Sequence, residues 1–176
     1  TVLPPMIPSF KKTPTEAEGA QSRALELVKR LNHVLGWEGV IPSGGALLVE
    51  PTALCEVGKY LKIQLDLGLD YLTNLTCTDY QDCYEVVYHL YSTKRPPSVV
   101  SIKVRAQKND PHVPSVTSIW PGADFQEREV WDLFGVRFDG HPNLKRILMW
   151  EGFAGHPMRK DYLETYYEAP GKIYPS

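Results

Sequence analysis

At 176 residues and 43% hydrophobic, the chain carries enough apolar material for one core of ordinary size. Its formal charge of -2 and pI of about 6.2 provide no global positive field of the kind that draws a protein to phosphate backbones, which argues against nucleic acid as a partner. No apolar run is long enough to span a bilayer, and the amino end lacks a signal-peptide pattern, so any place at a membrane is expected to come through a partner.

In chain order, the 15 prolines gather at Pro4-Pro5-Met6-Ile7-Pro8, at Pro96-Pro97 and near the carboxyl end. Proline fixes φ and removes a donor, so residues 1–19 and the carboxyl end read as extended arms. From Ala20 to Leu35, apolar residues at Ala24, Leu27, Val28 and Leu31 form a helical stripe that Gly36 ends. Gly44-Gly45 is a turn, and Ala46–Val49 is short, apolar and punctuated on both sides, which suits a first strand. Pro51 opens a second helix carrying Leu54, Val57, Leu61 and Leu65 and ending near Gly68.

Three segments then alternate with period two: Leu69–Tyr80, Tyr84–Tyr91 and Val100–Ala106. Their short connections predict an antiparallel meander with helices on one face, an α+β fold with an antiparallel or mixed sheet. A loop around Asn109-Asp110-Pro111 and Val113-Pro114 delivers the chain to a third helix, reading DFQEREVWDLFG, for which Asp124 and Glu127 fit a capping box. The organisation expected is an arm over 1–19, an α+β domain over 20–138 and an extended docking segment over 139–176.

The third helix places Arg128 four residues before Asp132, with Glu127 and Glu129 flanking the arginine. This spacing suits either an exposed ion pair or a charge network at an intermolecular contact, and it does not choose between them. No nucleophile, metal-ligand set or oxyanion donor accompanies the carboxylates, so they do not read as a catalytic acid–base pair. Cys55, Cys77 and Cys83 form no CxxC pair and, with no secretion signal, read as reduced structural thiols.

Gly-His-Pro occurs twice, at His141-Pro142 and His156-Pro157, with Lys145, Arg146, Arg159 and Lys160 following. The histidines are too far apart for a close ligand pair, and neither GxxxxGK[ST] nor GxGxxG is present, so metal and phosphate sites are both disfavoured. The structural alternative is a pair of corners in which glycine permits a tight backbone, histidine bonds a carbonyl or carboxylate, and proline sets the exit. Such corners would hold Leu144 to Phe153 in an extended course.

The stretch EREVWDLFGVRFDGHPNLKRIL, Glu127 to Leu148, followed by GHPMRKDY, Gly155 to Tyr162, closely resembles the signature of the 30 kDa subunit of respiratory complex I, the C-type subunit of the NADH:quinone oxidoreductases. Glu127, Arg128, Glu129, Asp132, Leu133, Phe134, His141, Lys145, Ile147 and Leu148 occupy the defined positions of that signature. Phe125 stands where the family usually has tryptophan, and Trp150-Glu151-Gly152-Phe153 replaces the commoner acidic-acidic-Trp.

The resemblance implies a non-catalytic structural subunit of the peripheral arm of a proton-translocating NADH:quinone oxidoreductase. It would dock on the large D-type subunit, which helps form the quinone site, and bind no cofactor itself, with FMN, iron–sulfur clusters and quinone held by partner subunits. No catalytic residue carries over. Glu127, Arg128, Glu129, Asp132, His141, Lys145 and Arg146, then His156, Arg159, Lys160 and Asp161, become expected structural and interface residues. The location implied is the cytoplasmic side of a bacterial inner membrane or the mitochondrial matrix side. The equivalent subunit of a membrane-bound nickel–iron hydrogenase, or of a ferredoxin- or F420H2-driven relative, is the alternative, and an independent acid–base or metal enzyme is a distant one.

Overall fold

A computed structural model describes residues 14–95 and 99–162. Helix α1 covers Pro14–Leu35, strands β1 Val40–Ser43 and β2 Ala46–Val49 form a hairpin through Gly44-Gly45, and a single 3-10 turn at Pro51–Ala53 leads into α2, Leu54–Ile63. Strands β3 Tyr71–Asp79, β4 Cys83–Tyr91 and β5 Val99–Gln107 follow. A short strand β6, His112–Pro114, a third helix α3, Ala123–Phe134, and β7, Arg137–Asp139, complete the described elements.

The strands of the main sheet lie in the order β1-β2-β5-β4-β3. The meander expected from the sequence is present, with Tyr84 to Tyr91 of β4 paired antiparallel to both neighbours. Strand β2 runs parallel to β5, so the sheet is mixed. Alternate residues of β4 and β5, among them Tyr84, Val86, Tyr88 and Leu90 with Ile102, Val104 and Ala106, are buried on one face with the helices. Full burial of each aliphatic side chain there stabilises the fold by roughly 1.5–3 kcal/mol.

Several boundaries differ from the sequence reading. Helix α1 begins at Pro14, so residues 14–19 are helical, not extended; proline suits a first helical position because its missing N–H would be unbonded there anyway. The remainder of both expected arms, residues 1–13 and 163–176, lies outside the described residues. Strand β1 is hidden in the sequence because Pro42 interrupts an otherwise apolar run. Proline is tolerated there because β1 is an edge strand, and Asn32 ties it to α1 through bonds to both the N–H and the carbonyl of Val40. Helix α2 stops at Ile63, leaving Leu65 exposed and outside the apolar stripe.

The short parallel pair β6–β7 is a further addition to the sequence reading. Three-residue strands leave too little alternation to read, and this pairing depends on α3 carrying the chain between them. The result sets α3 against the outer strand β3, where Gln126 Oε1 accepts the Leu75 N–H. This bond occupies a donor on an otherwise open sheet edge.

Candidate partner interface

The positions Ala123, Glu127 and Val130 recur at helical spacing and face the core, while Phe125 and Glu129 are exposed or half-exposed on other faces. The expected capping box does not form. The helix starts at Ala123, its cap residue is Gly122 with no side-chain cap, and Glu127 is directed inward instead of back along the helix. Tertiary packing outweighs the local pattern because Glu127 can satisfy donors on another loop.

Glu127 is 0% exposed. Its carboxyl accepts the Val116 N–H at 2.7 Å and lies 2.7 Å from the Ser115 hydroxyl. Burial pushes its pKa up to about 7; the Ser115 and Val116 bonds pull the other way, and the nearby Asp124 charge adds to the rise.

Asp132, also 0% exposed, has the opposite surroundings. Its Oδ1 takes Arg146 Nη1 at 2.5 Å, and its Oδ2 accepts the successive N–H groups of Ile147, Leu148 and Met149 at 2.8–3.0 Å. Burial alone would raise it, but the three N–H bonds and the guanidinium outweigh burial and hold it below the usual carboxylate range. Arg146 also donates to the carbonyls of Phe153 and Gly155, and its guanidinium lies 5.8 Å from the Trp131 ring centroid and 5.7 Å from that of Phe153. One half-buried ion pair therefore gathers residues 146–155 around the carboxyl half of α3.

The neighbours expected from i,i+4 spacing are not partners. The cation on Asp132 is Arg146, and Arg128 donates to the carbonyls of Lys145 and Arg146 while lying 5.5 Å from the Phe125 ring centroid. Arg128 and Arg146 thus approach the same segment from the helix side and from within it.

The two Gly-His-Pro corners have the local form expected of them. Gly140 and Gly155 both have φ of 82°, where glycine carries no Cβ penalty. His141 Nε2 lies 3.2 Å from the Asp124 carbonyl, and His156 Nδ1 lies 2.9 Å from the Asp132 carbonyl. Burial holds the His156 ring below its ordinary pKa. Between the corners, however, the chain passes through successive turns and not the extended course expected, because Asp132 pulls three consecutive N–H groups toward one point.

Beyond the second corner, Arg159 Nε donates to the Phe134 carbonyl at the end of α3. Gly135 follows with φ of 75°, and a Cβ there would run into the His156 ring and the Arg159 guanidinium. The Lys160 N–H donates to Asp79 Oδ2 at the end of β3, while its side chain is exposed.

The expected site residues thus divide. Glu127, Asp132 and the His141 ring are buried, and Arg128, Arg146, His156 and Arg159 are largely engaged within the chain. The side chains of Glu129, Lys145, Lys160 and Asp161 stand at the surface, as do Phe125 at 64%, Leu148 at 55% and Met158 at 56%.

Sequence reasoning misses Asp79, Ser115 and Phe153. Asp79 falls on the buried parity of β3, where Lys108 and the Lys160 N–H outweigh burial and keep its pKa low. Only that parity could have marked it. Phe153 is buried between Trp150 and Tyr162, with ring centroids 4.6 and 6.1 Å away. Among the described residues, no group of three or more His, Cys, Asp or Glu is placed to hold a metal ion, and no helix is long and apolar enough to cross a membrane.

Comparison with known proteins agrees with this architecture. The family described as respiratory-chain NADH dehydrogenase, 30 Kd subunit, matches residues 47–168. The chain is 45% identical over 120 residues to the C 2 subunit of NADH-quinone oxidoreductase from Rhizobium meliloti (strain 1021), covering 66% of this chain and 65% of that protein, so just under two thirds of the relative's length is spanned. It is 41% identical over 119 residues to the C/D subunit of NADH-quinone oxidoreductase from Methylococcus capsulatus (strain ATCC 33009 / NCIMB 11132 / Bath), covering 62% of this chain and 20% of that one. Among solved structures, the trypsin-resistant fragment (1-134) of Nqo5 superimposes with a TM-score of 0.54 at 30% identity, covering 69% of this chain and 99% of the fragment. The matched range takes in both α3 and the segment it clasps, and the chain belongs to the respiratory-chain NADH dehydrogenase 30 Kd subunit family.

Proposed function

We propose that this chain is a non-catalytic structural subunit of the peripheral arm of a proton-translocating NADH:quinone oxidoreductase, docked on the large quinone-site (D-type) subunit. The observation that carries this reading is the strap, residues 139–162. It has almost no regular secondary structure, yet Asp132, Arg128 and Arg159 hold it through side-chain bonds. An irregular segment ordered before binding loses less entropy on association. Relatives with a combined C/D designation, in which one polypeptide carries both names, support the D-type subunit as the partner.

On this reading the exposed Phe125, Leu148 and Met158 supply apolar contact, and Lys145 and Lys160 meet acidic groups on the rim. Asp132 acts indirectly, by shaping the segment. FMN, iron–sulfur clusters and quinone belong to partner subunits, and membrane contact comes through the assembled complex.

Co-purification of the full chain with the large quinone-site partner tests the reading. Arg128→Ala is expected to leave the sheet domain folded but weaken the association, because it frees the Lys145 and Arg146 carbonyls from α3. Failure of the unaltered chain to associate with that partner would overturn the proposal.

A further inference from the structure

The Glu127 carboxyl is the centre of a polar cluster with no part in the proposed docking surface. Among the described residues its only ion-pair contact is with the His141 ring, whose Nε2 is 3.9 Å away. Both nitrogens of that ring are engaged elsewhere. Its Nδ1 accepts the Asn143 N–H at 3.0 Å, which leaves Nε2 as the protonated nitrogen, 3.2 Å from the Asp124 carbonyl.

The other titratable groups facing the carboxyl do not stabilise a negative charge either. They are Asp124 on the same helix, Tyr88 from β4 and Cys55 from α2. Among the described residues Asp124 Oδ1 and the Tyr88 hydroxyl are themselves buried without hydrogen-bond partners, Asp124 Oδ1 lying 3.6 Å from His141 Nε2. A fully buried carboxylate with two neutral donors and no cation is an unfavourable species, and taking up a proton removes the cost.

The cluster also has a route to the surface. Ser115 Oγ lies 2.7 Å from Glu127 Oε2 and 2.8 Å from Thr117 Oγ1, and either hydroxyl of the second pair can donate. Thr117 in turn lines a surface cavity of about 410 Å³ bounded by Ser118, Pro121, Asp124, Gly140 and Pro142.

We infer that Glu127 is a proton-binding site that exchanges with solvent through the Ser115 and Thr117 hydroxyls. Uptake begins when an acid in the cavity protonates Thr117 Oγ1. Thr117 passes its own proton to Ser115 Oγ, and Ser115 passes its proton to Glu127 Oε2. The Glu127 O–H then donates to Ser115, and Ser115 donates to Thr117. Release reverses each transfer, and no electrons move. The ligand is a single proton, and the site is independent of which partner the strap meets.

Isotope-edited infrared spectroscopy of the full chain, with labelled glutamate, tests the assignment. A protonated carboxyl band is expected to persist from acidic pH to near neutrality, disappear at higher pH, and be lost in Glu127→Gln. Asp124→Asn is expected to move the midpoint to lower pH by removing a neighbouring like charge. Absence of a protonated glutamate band at about pH 6, where ordinary glutamates are ionised, or its retention there in Glu127→Gln, would overturn the inference. Should Glu127→Gln fail to fold, the wild-type band and the Asp124→Asn shift decide, and an unmoved midpoint counts against the site.

Discussion

The two halves of α3 solve the same problem in opposite ways. Glu127 and Asp132 lie on successive turns and are both 0% exposed. The amino half faces the loop after β6, which offers a hydroxyl and one N–H; the carboxyl half faces the strap, which offers a guanidinium and three N–H groups. One carboxyl has its pKa raised to about 7 and the other is lowered. Burial is common to both, so the supply of donors and cations decides the direction. A buried carboxyl without a cation tunes proton affinity, whereas one with a cation and several donors organises chain around itself.

The largest expected effect comes from breaking the cationic half. Asp132→Ala leaves Arg146 without its ion-pair partner and three N–H groups without their acceptor, at a cost of about 3–5 kcal/mol in denaturant unfolding. Hydrogen exchange at Ile147, Leu148 and Met149 is expected to accelerate while the central strands stay protected. Unchanged protection at those amides would show that the strap is held by something else.

The pH dependences of the two halves carry opposite signs. For Asp132, the lowered folded-state pKa means its stabilisation is present above the ordinary 3.8 and is lost as pH falls below it. For Glu127, the raised folded-state value means stability declines as pH climbs from 4.5 through about 7 and then levels off. Glu127→Gln is expected to remove that decline and gain roughly 1–3 kcal/mol on wild type at mildly alkaline pH relative to mildly acidic pH, read by thermal unfolding across pH.

The smallest effect on stability, and the most selective for association, is expected at the exposed edge of the strap. Leu148→Asp alters a side chain that is 55% exposed and is expected to change folding stability by no more than about 0.5 kcal/mol. It is expected to reduce binding, measured by calorimetry, to the large quinone-site subunit proposed as the partner. Intact binding would move the contact away from this part of the strap.

These contrasts also explain what can be read in advance. The meander is legible because β4 and β5 place an apolar residue at every second position, at Tyr84, Val86, Tyr88 and Leu90 and at Val100, Ile102, Val104 and Ala106. The two corners are legible because Gly-His-Pro combines three local constraints. The partner of each charge is not legible. Arg128 and Asp132 have the spacing of an ion pair, yet they bond to Lys145, Arg146 and the strap N–H groups instead.

From sequence alone came the α+β class, the order of the long elements, the family signature and the positions of the corners. Each rests on periodicity, turn chemistry or a matched motif, and these act over a few residues of chain. Only the tertiary structure decided that Glu127 faces Ser115 and Val116, that Asp132 gathers residues 146–149, and that Lys160 reaches Asp79. Those contacts join residues 11 to 81 positions apart, and their energies depend on burial and on which donors arrive together. Local spacing contains neither quantity.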